Sequence, residues 1–295
     1  MEVSEASHRV IADLLEARTG QHMSEGRRWR VTTALAGLFR EQGISNVDQL
    51  ACMLAEPGTE DLSKRVVEAL LNNETYFFRD RAMFDQLAAK VLPDLARKRF
   101  ATKRLAIWSA GCSSGQEALS VAMLILDQPG LWKDWTIDIV GTDVSEKAIE
   151  AARDACYSQF EIQRGLGVGQ MLTHFEETPH GWRAKRNLRT MVRYRQRNLL
   201  GPVEIAERFD LVLCRNVLLY FDPVRREAAF DRLAGSLRPD GWLLLGAGET
   251  ALGRTTRFRP TEGHQGLFVR TSEHEAQQRH VITHGARRVA RRGSS

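Results

Sequence analysis

Residues 104–130 read RLAIWSAGCSSGQEALSVAMLILDQPG, and the change of period inside them decides the fold. Arg104 to Gly111 is a short β-rich run that ends in glycine. Beyond it Leu119, Ala122, Met123 and Leu126 fall on one face of a helix, with Pro129-Gly130 as its stop. A strand handing over to a helix through a glycine turn is the unit of an open α/β sheet. Gly111 and Gly115 let the backbone turn tightly and approach a ligand, and the helix N-terminus offers free amides. The spacing G-x-x-x-G is not the dinucleotide fingerprint and no Walker lysine follows, so phosphate binding is disfavoured. By itself such a loop is weak evidence, because many α/β turns carry two glycines without a ligand.

Downstream the alternation continues. "WTIDIVGTD" is a second strand, and Ser145 caps the helix "EKAIEAARDAC". "MVRYRQRNLL" and "FDLVLCRNVLLYF" follow, then a helix with Asp222 at the cap and Pro223 in its first turn, then "GWLLLGAGET". "GLFVR" closes the sheet as an edge strand. This predicts a mainly parallel, three-layer α/β sheet. The piece from Tyr157 to Thr190 is too long for a simple connection, and Gly181-Trp182 marks a hairpin turn, so a helix plus a small β insertion is expected.

Upstream the chain reads as helices. Val10, Ile11, Leu14 and Leu15 form one apolar face ended by Gly20; Val31, Leu35, Leu38 and Phe39 form a second stopped by Gly43. Asn46 caps a short third helix, and Leu62, Val66 and Leu70 line a fourth. Phe84, Leu87, Val91 and Leu95 continue the helical period, with Pro93 marking a kink or break.

Bulk composition excludes several classes. The 295 residues are 43% hydrophobic and 27% charged, and no run is long and apolar enough for a membrane span. The acidic, amphipathic N-terminus is unlike a signal peptide. Cys52, Cys112, Cys156 and Cys214 are scattered, each expected as a small buried apolar side chain in a reduced, cytoplasmic compartment. The net charge of +5 partly reflects "ARRVARR" at the C-terminus, so nucleic acid is permitted but not expected. Residues 272–295 read as a disordered basic tail, and metal binding by its His274, His280 and His284 is disfavoured.

Two further groups carry chemistry. Asp143 ends the second strand, where a carboxylate accepts hydrogen bonds from both hydroxyls of a ribose; Ser145 is better placed as the helix cap. A glycine loop and a ribose acid without a phosphate cradle point to a nucleoside cofactor lacking phosphates, of which S-adenosylmethionine is the obvious one. Arg215 and Asn216 end an otherwise apolar strand and are costly there unless they face a cleft; Tyr220 either lines that cleft or packs.

"NETYFFRD", "WSAGCSSGQEALSVAMLI", "GTDVSEKAIE", "QRNLL", "FDLVLCRNVLLYFD" and "LRPDGWLLLGAGET" together resemble the chemotaxis receptor methyltransferases, the CheR family, in the family's order and spacing. The resemblance implies a Rossmann-like class I methyltransferase sheet with an N-terminal all-helical domain and a small inserted β subdomain. It divides the chain into a helical domain at 1–78, a linker helix at 79–103 and a methyltransferase domain at 104–271 with an insert at about 157–190. It implies that Asn73, Thr75, Arg79, Gly111, Glu117, Asp143, Asn198, Leu199, Arg215 and Asn216 contact S-adenosylmethionine, the product being S-adenosylhomocysteine. Asp143 would hold the ribose, Asn198 and Leu199 would lie by the adenine, and Arg79 would stay near the methionine end or the incoming carboxylate. The implied reaction methylates glutamate side chains of chemoreceptor cytoplasmic helices, with Arg79 orienting the acceptor and Tyr220 lining the methyl position. A carboxylate is already anionic at neutral pH, so no general base is needed. The cationic segment bearing Arg27, Arg30 and Arg40 would meet the acidic receptor. The protein is expected to act as a monomer and to need no metal.

The chain departs from the family pattern where Gln116-Glu117-Ala118-Leu119 replaces the usual Glu-Glu-Pro-Tyr, and where Gly246-Ala247-Gly248-Glu249 replaces Gly-His-Ser-Glu. The rival readings are a methyltransferase for RNA or a small molecule, and a scaffold or sensor that binds the cofactor without turnover.

Overall fold

The computed structural model describes residues 4–23, 26, 29–201 and 209–271. Four helices come first: α1 (Glu5–Thr19), α2 (Trp29–Gln42), α3 (Val47–Ala55) and α4 (Glu60–Leu70). Side-chain caps start two of them, Ser4 accepting from the Ser7 amide and Asn46 from the Gln49 amide. Ile11, Leu35, Leu50 and Val66 meet in a core separate from that of the sheet.

After an extended connection come α5 (Arg81–Gln86), a π-helical turn (Leu87–Val91) and α6 (Leu92–Lys98). Pro93 therefore does not end this helix, which passes through a π-helical turn just before it. The wider turn, in which the Leu92 amide reaches the Leu87 carbonyl, makes room for a ring that would otherwise strike the preceding turn.

The sheet region runs β1 (Arg104–Ala110), α7 (Gln116–Leu126), α8 (Pro129–Trp132), β2 (Thr136–Asp143) and α9 (Glu146–Asp154). Pro129 opens a one-turn helix as well as ending α7. The insert then supplies β3 (Cys156–Tyr157), α10 (Gln159–Gln163), α11 (Val168–His174), β4 (Phe175–Thr178), β5 (Gly181–Ala184) and α12 (Arg186–Arg189). The main chain of the fold resumes with β6 (Val192–Gln196), β7 (Phe209–Cys214), a 3-10 turn (Leu218–Tyr220), α13 (Pro223–Ser236), β8 (Leu237–Leu245), β9 (Phe258–Pro260) and β10 (Leu267–Arg270).

The large sheet has the order β6-β2-β1-β7-β8-β10-β9, the first five strands parallel to one another, with β10 pairing antiparallel to both β8 and β9. This is the expected Rossmann-like sheet of the class I methyltransferases, with helices on both faces. One expectation is corrected: Leu267–Arg270 lies inside the sheet, and the edge is Phe258–Pro260, too short for an alternating pattern and carrying the proline an edge tolerates. A second correction concerns the insert, whose three-stranded sheet is ordered β3-β5-β4. Its hairpin turns at Pro179-His180, so Gly181 and Trp182 already pair within β5. A third concerns the cysteines: Cys112 and Cys214 are buried, Cys52 is exposed and Cys156 half-buried, and all four are free. The tail with its histidines lies outside the described residues.

The aromatic block of the connection is mostly core. Phe77 sits edge-on to Tyr157 at 5.0 Å and to Phe175 at 5.3 Å, and Phe78 edge-on to Phe84 at 5.3 Å. These contacts fasten the connection to the sheet and to the insert at once. At the opposite end of the sheet, Asp210 takes Arg99 at 2.6 Å and the Ala106 amide at 2.9 Å, tying the linker helix beneath β1 and β7. The helical domain is held over the strand ends by Glu16–Arg225 at 2.6 Å and by Glu68, whose carboxylate takes the Ser145 hydroxyl and the Glu146 amide.

Candidate active site

Parallel strands end together, so side chains just past β1, β2, β6 and β7 converge. There, roofed by the 71–80 connection and the end of α1, lies a cleft of about 850 Å³. All ten candidate cofactor residues line it, as does Tyr220.

The glycine loop is tied down from within. The Gly111 and Cys112 amides both donate to the Thr142 carbonyl (2.7 and 2.9 Å), the Ser113 amide to Asp143 Oδ2 (2.8 Å) and the Gly115 amide to the Cys112 carbonyl (3.0 Å). Four amides of this loop are thus already used by the protein itself. Gly111 has φ of 77°, a conformation that only glycine adopts without strain.

Asp143 ends β2 with its second oxygen accepting from the Ser145 amide at 3.0 Å, while Ser145 Oγ caps α9 through the Ala148 amide. Burial lifts the Asp143 carboxyl above its ordinary range; the Ser145 and Ser113 amides offset part of that. Asn73 is fastened to both loops: its carbonyl accepts from Ser113 Oγ at 2.7 Å, and its amide nitrogen donates to Ser145 Oγ at 3.2 Å.

Arg215 follows β7 with its side chain only 1% exposed. Its guanidinium donates to Glu117 at 3.2 Å, to Asp80 at 2.8 Å and to the Arg79 carbonyl at 2.6 Å. Glu117 also accepts from Ser109 Oγ at 2.7 Å. Burial raises the Glu117 carboxyl, and Arg215 and Ser109 counter it only in part. Arg215 lines the cleft, yet its charge is spent on this internal network. Arg79, by contrast, donates to the Glu74 carbonyl at 3.0 Å and makes no ion pair among the described residues. Tyr220 OH accepts from the Asn72 side-chain amide at 2.7 Å. Asn198 braces its own turn through the Leu200 amide and reaches the Arg18 carbonyl.

Several participants went unread in the sequence. Asp80 neutralises Arg215, Ser113 bridges Asn73 and Asp143, and Asn72 orients Tyr220. Thr19 and Gln21, from the end of α1, reach the cleft only because the helical domain folds over it. Asp80 closes the NETYFFRD block, where nothing in the sequence marks its partner; nothing local marks Gln21. Of the substrate-side arginines, Arg30 is exposed and lines a neighbouring cavity of about 530 Å³ that shares Gln21, Asn72 and Tyr220 with the cleft. Arg40 is exposed but lines neither cavity, and Arg27 lies outside the described residues. No group of three metal-ligating side chains occurs among the described residues.

These groups fit S-adenosylmethionine. Carboxylates suited to ribose hydroxyls and to an ammonium, Asp143 and Glu117, stand in the wall. Asn216 Oδ1 is buried there without a hydrogen-bond partner, an acceptor left for a ligand.

Comparison with known proteins agrees. Residues 73–267 match the family model described as CheR methyltransferase, SAM binding domain. The chain is 33% identical to a chemotaxis protein methyltransferase of Vibrio parahaemolyticus, over 91% of this chain and 98% of that protein. Chemotaxis protein methyltransferase 1 of Vibrio cholerae is also 33% identical, with the same coverage. Chemotaxis protein methyltransferase 1 of Pseudomonas aeruginosa is 32% identical, over 92% and 99%. The chain belongs to the CheR family and is an S-adenosylmethionine-dependent methyltransferase of chemotaxis.

Proposed function

We propose that this methyltransferase esterifies glutamate side chains on the cytoplasmic helices of chemoreceptors. The observation that carries the reading is Arg79, a cation in the cleft wall that makes no salt bridge among the described residues, Glu74 being paired with Arg164, beside an Arg215 that Glu117 and Asp80 neutralise. A cation without a salt bridge suits an acceptor that arrives as an anion. The described cleft lining contains no histidine, and its carboxylates are engaged, consistent with a reaction that needs no general base.

In this reading the cofactor, when bound, supplies a methyl group on a sulfonium. Asp143 accepts from the ribose hydroxyls, Asn198 and Leu199 flank the base, and Glu117 with Asn216 Oδ1 accepts from the amino group. Thr75 and Gly111 complete the wall, and Asn73 holds the roof to it. Arg79 orients the acceptor carboxylate, and Tyr220, fixed by Asn72, lines the position where the methyl is passed. Alignment and exclusion of water do the rest. The cationic segment that bears Arg27, Arg30 and Arg40 in sequence meets the acidic receptor helix, Arg30 bordering the cavity next to Tyr220. The working units are 1–78, 79–103 and 104–271 with an insert at about 157–190, acting as a monomer. Mass spectrometry of receptor peptides after reaction with the enzyme is expected to show one methyl increment on glutamate; an increment on lysine, arginine or RNA would overturn the reading.

A further inference from the structure

We propose that Glu249 is a positioning residue for the connection that leads from β7 to α13, and through it for Tyr220. The proposal rests on the reading of Tyr220 above. Glu249 lies just past β8, the strand beside β7. Its Oε2 accepts from the Asn216 amide at 2.7 Å and the Gly246 amide at 3.0 Å, and its Oε1 from the Leu219 amide at 3.2 Å. The protein thus builds a three-amide anion site at two adjacent strand ends and fills it with its own carboxylate. Asn216 holds φ of 60° there, and Leu219 belongs to the 3-10 turn that carries Tyr220. Gly246 independently marks the approach as tight: a Cβ on it would stand 2.8 Å from Glu249 Oε2 and 3.0 Å from the Asn216 nitrogen.

The two oxygens hold different things. Oε2 keeps the strand ends together, whereas Oε1 is the one of the two that reaches the turn bearing Tyr220, joining Arg226 on the Leu218 and Phe221 carbonyls and the His22 amide on the Tyr220 carbonyl. In Glu249→Gln the single remaining oxygen stays with its two donors, and the new amide group meets the Leu219 N–H, donor against donor. The turn is loosened while the cofactor wall stays.

The test compares the wild type with Glu249→Gln and with Gly246→Ala, which keeps the carboxylate but displaces it. Hydrogen exchange over residues 215–221, calorimetric binding of S-adenosylhomocysteine, and methyl transfer to receptor-containing membranes are measured. Loss of a hydrogen bond to a carboxylate corresponds to about tenfold or more. Exchange near Leu219 is expected to rise, and turnover to fall, by about that factor in both variants, with S-adenosylhomocysteine affinity held within about threefold in Glu249→Gln, whose remaining oxygen keeps the Asn216 amide. Unchanged exchange and turnover would overturn the proposal. So would a parallel loss of affinity and turnover with faster exchange throughout β7 and β8, which a merely structural role produces. If the wild type labels no receptor, the substrate reading fails while the exchange comparison still decides the role of Glu249.

Discussion

Replacing Arg215 with methionine tests the buried network beneath the cleft. The side chain is 1% exposed and its two carboxylate partners differ in access to water, Glu117 at 11% and Asp80 at 34%. Asp80 is solvated once the guanidinium is gone, so the cost falls on Glu117, stranded as a charge or forced to take a proton. Removing one partner of such a pair costs about 3–5 kcal/mol, or a fall in melting temperature of roughly 6–20 °C for a domain of this size. Urea unfolding followed by tryptophan fluorescence measures it. The double variant Arg215→Met with Glu117→Gln is expected to recover at least about 2 kcal/mol, because a neutral amide still accepts from Ser109 Oγ. Adding Asp80→Asn instead is expected to recover less than about 1 kcal/mol, the scale of an exposed pair. A single-variant loss below that, or equal rescue by both second substitutions, would refute the assignment of the cost to Glu117.

Other outcomes follow from the same geometry. Glu117 has a folded-state pKa raised above its ordinary value of 4.5, so its contribution favours folding below that value and is lost as pH rises toward the raised one. Glu117→Gln is therefore expected to flatten the stability profile in that window, checked by denaturation across pH. Asp143→Asn removes one charged acceptor from the ribose and sets an amide group against a backbone N–H, and calorimetry is expected to show roughly 10–100-fold weaker cofactor binding. Phe77→Ala opens a cavity between the sheet and the insert and is expected to cost about 3–5 kcal/mol in urea denaturation. Arg79→Ala is expected to leave the fold intact by circular dichroism and to cut turnover at least about tenfold in receptor labelling.

What the sequence made legible was what is local. Strand, glycine turn and helix announce themselves by period, and Asp143 and Ser145 sit at fixed offsets from a strand end, so the carboxylate and the cap separated correctly. The antiparallel edge was misread because Phe258–Pro260 is too short for a pattern, and the π turn at Leu87–Val91 because hydrophobic period does not register one extra residue. Pairings across long separations were invisible. Arg215 read as a group facing the cleft; only the fold reveals that Glu117 and Asp80 claim its charge, and that Glu249 gathers three amides from two strand ends. Gln21 reaches the cleft through the packing of one domain on another, for which no local signal exists.

The central claim, a methyl ester on receptor glutamate, is tested most directly by label transfer from methyl-labelled S-adenosylmethionine to receptor-containing membranes, followed by mild alkali. The account expects label on the receptor that alkali releases as volatile methanol. Label that survives alkali would mean methylation at nitrogen or carbon and would contradict it.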